Sequence, residues 1–313
     1  MFYLPYAYMF LAILFWSMNP VANKIALEEI AVPQLVSMRA VFSAIILLVF
    51  SFAIGYRYSP KKIGWKPFLL GFLDPGMTSL LFVYSLTVLS ATNTILIIAL
   101  LPFSQSILGR IVFKEKIQPS IWIGGIVAAY GLTTFYSIED FHDSDSIWGN
   151  LLMFFCFCLF SVSQLLTRKI MKSEVAAIHV TTSQMISASV FLTLYMVFFG
   201  DMTLPFRASS GTLMTFVFLT FSMAFPFFFY NKALRNITVG MASLLLVLII
   251  PFGFIFAAIF LGESITLTKA TGAIMVMIGV IITHLKALWL SLIHISEPTR
   301  PLYSSYAVFC LKK

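Results

Sequence analysis

The sequence predicts an all-α polytopic membrane protein of about ten transmembrane helices, arranged as two inverted five-helix repeats with both ends in the cytoplasm. Three observations lead to this fold class: the hydrophobic composition, a long stretch that occurs twice, and an uneven distribution of Lys and Arg among the loops. Of the 313 residues, 60% are hydrophobic and 10% are charged, whereas soluble domains carry about 25% charged residues. The hydrophobic runs are continuous and do not alternate, which excludes a β-barrel.

The repeated stretch covers residues 85–126 and again residues 233–274. In each copy a hydrophobic segment contains a Pro-Phe pair, a glutamate follows about three turns later, and a glycine follows the glutamate by nine residues. Corresponding residues lie 148 or 149 positions apart. The pairs are Pro102 with Pro251, Glu115 with Glu263, and Gly124 with Gly272. A constant offset over so many positions predicts two structural repeats, with the first five helices in residues 1–140 and the second five in residues 141–289.

A bilayer core about 30 Å thick requires about 20 hydrophobic residues per helix. The sequence supplies one such segment after another, joined by short loops. The predicted spans are residues 5–24, 33–55, 67–89, 93–113, 119–137, 146–167, 178–199, 211–232, 237–260 and 267–286.

The orientation of the helices follows from the basic residues in their loops. One set of alternate connections, together with the segment after the last span, carries thirteen Lys and Arg, and the opposite set carries three. The positive-inside rule therefore places both ends of the bundle in the cytoplasm. Because each repeat has five helices, the second repeat must be inverted relative to the first. Secondary transporters use inverted repeats and bind their substrate near the midplane between them, and we expect a bacterial plasma (inner) membrane protein.

The net charge of +8 is explained by this topology. The basic residues are spread over five segments, so the charge does not indicate a nucleic-acid partner. The three cysteines show neither a metal-binding spacing nor a disulfide framework, and we predict no metal site and no cofactor. A phosphate-binding GxxxxGK[ST] motif is absent, which argues against direct drive by ATP. We predict that transport depends on pH through Asp74, and the chain could assemble as a homodimer.

The last residues of the chain do not match the rest. Residues 290–313 resemble the translation of a sequencing adapter and its flanking primer, as produced when an assembly reads past its insert. The alternative is a polar cytoplasmic tail. We predict that these residues are not native and exclude them from the fold, as is done for fusion scars.

Several short motifs carry a resemblance to a known family. They are Trp16-Ser17 with Asn19, Met38-Arg39-Ala40, Ala233-Leu234, and the two Pro, Glu and Gly helices that end in FKEK and LGES. With these motifs the chain resembles EamA-type members of the drug/metabolite transporter superfamily over about residues 5–286. The first copy departs from the family pattern, with Lys114 where glycine usually precedes Glu115. The resemblance implies a ten-helix carrier that moves small metabolites or drugs, commonly outward, by alternating access, and it implies no particular substrate.

Two ionisable side chains are predicted inside the hydrophobic core, where a charge costs about 2.5–3.5 kcal/mol. Asp74 precedes Pro75 about seven residues, hence roughly 10 Å, from the cytoplasmic end of the third span. It could take up a proton or bind a cation. Alternatively, it could hydrogen-bond the backbone groups that are left unpaired where Pro75 breaks the helix.

Arg39 lies roughly 9 Å from the outer end of the second span. It could hold a carboxylate or phosphate, or it could reach to the outer interface. In a hydrophobic core about 30 Å thick, the two side chains then lie at depths about 10 Å apart. A direct Arg39–Asp74 salt bridge is therefore not expected.

Neutral polar and aromatic side chains form a second group of candidates for substrate binding. Amides within a bundle can bind a zwitterion or a sugar, but they also bridge neighbouring helices. The aromatic candidates could line a cavity and offer a cation–π face, or they could simply pack. The amide candidates are Asn19, Gln105, Gln164 and Gln184, and the aromatic candidates are Trp16, Tyr84 and Tyr230.

The paired motif residues are predicted to be structural. Glu115 and Glu263 lie at opposite faces of the membrane and cannot form one site. We expect each to accept hydrogen bonds from the free N–H groups of the helix that follows it. Pro102 and Pro251 are expected to bend their helices.

An intramembrane enzyme is the rival class, but the chain lacks paired membrane aspartates and an HExxH motif, and we predict no catalytic residue. A channel or scaffold is harder to exclude, although no ring of like charges is apparent. Within the transporter class, we expect an exporter of amino acids or similar small metabolites. The alternatives are a proton-coupled exporter of cationic drugs and a carrier of nucleotide sugars or sugar phosphates. Arg39 in a cavity favours anionic or zwitterionic cargo, whereas Asp74 with Arg39 turned away favours cations.

Overall fold

The structure of the protein is a computed structural model. It describes residues 4–98, 119–135, 144–172, 175–200, 208–237 and 239–296, together with residues 100–101, 103–104, 107–108 and 111. All of the secondary-structure elements in these residues are helices.

The first repeat begins with α1 and α2, followed by the short α3. The third span is an interrupted helix, in which α4 and α5 flank a π-helical turn at Phe72–Met77. Two further helices, α6 and α7, complete the described part of this repeat. The bounds are α1 Leu4–Leu27, α2 Val32–Ala53, α3 Pro60–Ile63, α4 Lys66–Gly71, α5 Thr78–Val88, α6 Ala91–Ile98 and α7 Pro119–Phe135.

The second repeat follows the same order with longer helices. The bounds are α8 Ser144–Met171, α9 Ala177–Phe199, α10 Ser210–Leu234, α11 Val239–Leu246, α12 Ile249–Leu261 and α13 Leu267–Ser296. Within the described residues, seven helical segments are long and hydrophobic enough to cross a membrane, and two shorter ones lie at Trp122–Thr134 and Leu267–Ile282. The predicted span 93–113 is described only in part, and α13 continues beyond the predicted end at 286.

The third span confirms the break predicted at Asp74-Pro75. Asp74 has extended backbone angles, φ −146° and ψ 114°, within an otherwise helical segment. The carboxylate is only 2% exposed. The local sequence therefore turns Asp74 out of the regular helix while keeping its side chain inside the bundle.

The ninth span corrects the prediction of one helix bent at Pro251. The chain breaks earlier, because α11 ends at Leu246 and α12 begins at Ile249. The intervening turn is closed by a hydrogen bond from the Leu248 N–H to the Leu245 carbonyl of 3.0 Å. Pro251 then occupies the first turn of α12, where its missing N–H has no intrahelical partner to lose.

Contacts between the two repeats hold the bundle together. The helix α1 packs on α10, α5 packs on α8, α2 packs on α9, and α7 packs on α13. Two large buried clusters form between these pairs. Large hydrophobic side chains on the outer surface are exposed, as a lipid-facing surface requires; examples are Phe52, Phe198 and Leu267.

The pair α7 and α13 meets through glycines. A Cβ atom added to Gly131 would lie 2.7 Å from the Gly272 carbonyl oxygen, and one added to Gly279 would lie 2.5 Å from the Gly124 carbonyl oxygen. The order of these contacts along the chain shows that the two helices are antiparallel. The motif glycines Gly124 and Gly272 are therefore packing residues that allow two backbones to touch.

Candidate functional site

A cavity of about 130 Å³ lies at the centre of the bundle, between the two repeats. Its volume is far above the roughly 10–15 Å³ needed for one water molecule, so it can hold a small organic molecule. Side chains from α1, α2, the broken third span, α8, α10 and the α11–α12 region surround it. The polar and ionisable lining residues are Asn19, Arg39, Asp74, Thr78, Ser79, Cys156 and Ser222.

Arg39 is held inside the protein by a chain of amide hydrogen bonds. Its guanidinium Nη1 donates to the Asn23 Oδ1 at 2.8 Å, and the Asn23 Nδ2 donates to the Asn19 Oδ1 at 2.7 Å. The Asn19 Nδ2 in turn donates to the Ser222 hydroxyl at 2.9 Å. Arg39 is 3% exposed, which rules out the alternative that it reaches to the outer interface. Within the part of the chain that the structure describes, the Arg39 Nε–H has no hydrogen-bond partner.

Asp74 lines the same cavity without pairing with Arg39. One of its carboxylate oxygens, Oδ1, accepts a hydrogen bond from the Thr78 hydroxyl at 2.7 Å. No ion pair joins Arg39 and Asp74 in the described part of the chain, as the difference in depth predicted. The cavity thus presents a guanidinium and a carboxylate that have not neutralised each other.

The rest of the wall is hydrophobic and largely aromatic. Trp16 lies against the ring of Phe227, with a centroid separation of 5.4 Å, and against that of Phe160 at 6.3 Å. Both phenylalanines also line the cavity, together with Phe82, Phe157, Leu101, Met153, Met223, Leu246 and Ile249. Such a wall has room for a hydrophobic group beside the charged ends of a ligand.

Four of the predicted candidates, Trp16, Asn19, Arg39 and Asp74, meet in this cavity. Tyr84 does not line it, because its hydroxyl is paired with the hydroxyl of Tyr195 at 2.9 Å on α9. Of the two alternatives that the sequence left open for Tyr84, the structure therefore shows packing. Gln105 lies outside the described residues, as do Pro102 and Glu115.

Gln184 bridges helices and does not line the cavity. Its Oε1 accepts from the Asn231 Nδ2 at 2.8 Å, and its Nε2 donates to the Thr167 hydroxyl at 3.3 Å. This is the structural alternative that the sequence left open for amides. Gln164 and Tyr230 are also absent from the cavity lining, although both are buried and lie on the helices that form it.

Glu263 stabilises a helix, but a different one from the helix expected. Its carboxylate oxygens accept from the backbone N–H groups of Ala91 at 2.8 Å and Thr92 at 3.2 Å. These groups begin α6, in the first repeat, whereas the prediction was the helix that follows Glu263. Because the two repeats pack against each other, the N-terminus of α6 contacts Glu263 although Ala91 and Glu263 are 172 residues apart in sequence.

In the described residues, no group of three His, Cys, Asp or Glu side chains could bind a metal ion.

Sequence reasoning missed several residues of the site. Asn23, one turn after Asn19 on α1, was not among the predicted candidates, although it is the direct partner of Arg39. Ser222 carried no signal of its own, but it lies 148 residues after Asp74, which is the repeat offset. The repeat alignment could therefore have identified Ser222 as a position facing the same cavity.

Comparisons with known proteins agree with this architecture. The EamA-like transporter family matches the chain over residues 4–137 and again over residues 147–285. Among similar solved structures is one described only as the crystal structure of a protein, with a TM-score of 0.70, 14% identity, and coverage of 91% of this chain and 97% of that chain. No curated protein matches the sequence significantly. The hydrophobic helices and the family match make the chain an integral membrane protein. Because the two family matches together span most of its length, the chain belongs to the EamA-like transporter family.

Proposed function

We propose that the protein is a secondary transporter that exports amino acids or similar small zwitterionic metabolites by alternating access. One observation carries this proposal: the same central cavity is lined by a guanidinium, Arg39, and a carboxylate, Asp74, within a hydrophobic wall. Within the described residues, neither group forms an ion pair with the other, and each has only a neutral hydrogen-bond partner. An α-amino acid has a carboxylate for the first group and an ammonium for the second. Its side chain fits the aromatic surface between them.

The arrangement of the helices supports alternating access. The proposed topology has ten helices, five each in residues 1–140 and 141–289, with both ends in the cytoplasm. The antiparallel packing of α7 and α13 and the pairing of α1 with α10 and α5 with α8 are contacts expected of inverted repeats. In such proteins the substrate site lies between the repeats and is opened to each side in turn. We place the protein in a bacterial plasma (inner) membrane, with residues 290–313 outside the native fold.

Asp74 supports coupling to protons as part of the same proposal. A carboxylate in the membrane interior is costly when ionised, and proton relays in transporters use such groups. The same carboxylate would suit an exporter of cationic drugs, with Trp16 and the cavity phenylalanines contributing cation–π contacts. Arg39 disfavours that alternative because it lines the same cavity and would repel a cation.

The experiment is a flux measurement on the full chain in proteoliposomes, with and without an inward proton gradient. One reaction contains a pool of labelled amino acids, and a second contains the lipophilic cation tetraphenylphosphonium. Saturable flux of amino acids is expected. Flux of the cation alone would overturn the proposal in favour of drug export. Absence of both would return nucleotide sugars, sugar phosphates and the channel or scaffold class to consideration.

A further inference from the structure

Three buried polar atoms beside the central cavity have no hydrogen-bond partner within the described residues. They are the Gln164 Oε1, the Arg168 Nε–H and the Tyr230 hydroxyl. The side chain of Gln164 is 2% exposed, and that of Tyr230 is fully buried. Buried polar groups are almost always hydrogen-bonded, and leaving one unpaired costs about 1–3 kcal/mol. These atoms are therefore available to hydrogen-bond a ligand or water.

The three groups lie between the cavity and one end of the bundle. Phe160, Gln164 and Arg168 follow each other at four-residue intervals and share one face of α8. Phe160 lines the cavity, and Arg168 is about 12 Å further along the helix axis. Arg168 lies three residues before the end of α8, at the end of the bundle that the basic loops assign to the cytoplasm.

Tyr230 joins this group from the opposite helix, α10. It lies one turn after Phe227, which lines the cavity, and towards the C-terminal end of that helix. The ring of Trp16 lies 5.3 Å from the ring of Tyr230, and Trp16 also lines the cavity. Trp16 is therefore in contact both with the cavity and with Tyr230.

The free atoms have complementary hydrogen-bonding properties. The Arg168 Nε–H and the Tyr230 O–H are donors, whereas the Gln164 Oε1 is an acceptor. Two donors suit a carboxylate, and one acceptor suits an ammonium. The central cavity also pairs a guanidinium, that of Arg39, with an acceptor, but there the acceptor is the carboxylate of Asp74.

We propose that Gln164, Arg168 and Tyr230 form a second binding site for zwitterionic substrates, on the cytoplasmic side of the Trp16 ring. In this site Arg168 and Tyr230 hold the carboxylate and Gln164 accepts from the ammonium. A substrate leaving the cytoplasm binds here first and passes Trp16 to reach Arg39 and Asp74. This inference rests on the proposed export of amino acids.

The test uses three matched ligands as competitors of amino-acid flux through the full chain. L-Phenylalanine carries both charged groups, 3-phenylpropionate carries only the carboxylate, and phenethylamine carries only the ammonium. The Arg168→Gln variant should weaken inhibition by phenylalanine and phenylpropionate roughly five- to tenfold, as expected for loss of a charge-assisted hydrogen bond. Phenethylamine should change by less than about twofold, because it has no group for Arg168.

The Gln164→Leu variant should show the converse pattern, with weaker inhibition by phenylalanine and phenethylamine and unchanged inhibition by phenylpropionate. Lys169→Gln is the matched control, since it removes an exposed positive charge one residue from Arg168. An equal effect of Arg168→Gln on all three ligands would indicate a merely structural role and overturn the site. No effect on any ligand, with normal wild-type flux, would also overturn it. Absence of amino-acid flux in the wild type would instead overturn the proposed function and this site with it.

Discussion

The carboxylate of Glu263, at the end of the ninth span, is bound to the backbone amide of Ala91, which begins α6 in the other repeat. The 2.8 Å hydrogen bond from the Ala91 N–H is joined by one of 3.2 Å from the Thr92 N–H, and the Ser90 hydroxyl accepts from the Asn93 N–H at 3.1 Å. Three of the free amides at this helix end are therefore satisfied. A carboxylate also interacts favourably with the positive end of the helix dipole.

Replacing Glu263 should consequently destabilise the contact between repeats. We expect Glu263→Ala to lower the stability by about 1 kcal/mol, as for loss of an N-terminal cap, and Glu263→Gln to have a smaller effect because one acceptor remains. The measurement is thermal unfolding in detergent micelles. Glu28→Gln is the control, since Glu28 is an exposed carboxylate that lines the same surface pocket as Glu263. Indistinguishable unfolding of all three variants would contradict the role of Glu263.

The glycine contacts of α7 and α13 predict a pair of variants with different outcomes. Gly131→Ala should destabilise the protein by about 1–3 kcal/mol, because the new methyl group would lie 2.7 Å from the Gly272 carbonyl oxygen. Gly125→Ala, on the same helix, should be tolerated because its nearest neighbour is the Phe103 ring at 3.7 Å. Unfolding midpoints of the two variants give the comparison. Equal loss of stability would show that helix flexibility, and not backbone contact, explains both glycines.

Asn23 controls how much of the Arg39 charge is available to a substrate. In Asn23→Asp a carboxylate would replace the amide oxygen that now accepts from Arg39 at 2.8 Å. We expect the affinity for carboxylate-bearing substrates to fall roughly tenfold, because the guanidinium would already be paired. The half-saturation concentration of flux measures this.

Asn93→Asp is a matched control for that experiment, since it introduces the same charge on α6, beyond the cavity lining. The affinity for phenethylamine, which lacks a carboxylate, should not decline in Asn23→Asp. If both variants weakened amino-acid affinity equally, the effect would reflect added charge in general, and the assignment of Arg39 to the carboxylate would fail.

Asp74 is expected to link transport to the proton gradient. Asp74→Asn retains the shape and the polar contact with Thr78 but cannot ionise. Flux through this variant should therefore respond less to an imposed proton gradient than wild-type flux does. Flux is measured in proteoliposomes, and a protonophore that collapses the gradient serves as the control. Flux identical to wild type with and without the gradient would refute proton coupling through Asp74.

The outer surface offers a separate dependence on pH. Glu29 accepts a hydrogen bond from the Ser209 N–H at 2.6 Å, next to the start of α10. Hydrogen bonds from Ser209 hold the pKa of the exposed Glu29 carboxyl below its ordinary value of 4.5. Since the pKa is lower in the folded state, the stabilisation is present above pH 4.5 and is lost as the pH falls through the folded pKa.

Glu29→Gln should therefore unfold at a lower temperature than wild type at neutral pH, and the difference should shrink at acidic pH. Unfolding of both proteins over a pH series measures this. Glu28→Gln, the neighbouring exposed carboxylate, should show no such convergence. A constant difference between wild type and Glu29→Gln at every pH would contradict the role of the hydrogen bond with Ser209.

Much of the fold followed from patterns that act over one helix or one repeat. Hydrophobic length located the spans, and the break at Asp74-Pro75 was predicted because proline removes a local hydrogen bond. The break in the ninth span was misplaced, since Pro251 is tolerated in a first turn and the actual interruption at residues 247–248 has no proline.

The site was predicted less well, because its geometry depends on which helices meet. Arg39, Asp74, Asn19 and Trp16 were chosen for the cost of burying polar groups or for aromatic character, and these properties are visible in sequence. That Tyr84 faces Tyr195 instead depends on the rotation of α5, and a helix of almost uniform hydrophobicity contains no signal for its rotation. The partner of Glu263 likewise depends on contact between repeats.

The backbone contacts of α7 and α13 also limit which parts of the protein can move. Two carbonyl groups lie so close to the facing glycines that sliding either helix by one residue would bring a side chain onto a peptide oxygen. None of the residues that line the central cavity comes from this pair. The proposed alternating access therefore predicts that α7 and α13 keep their mutual packing, and that the cavity opens through movement of the helices that bear Trp16, Asp74 and their counterparts in the second repeat.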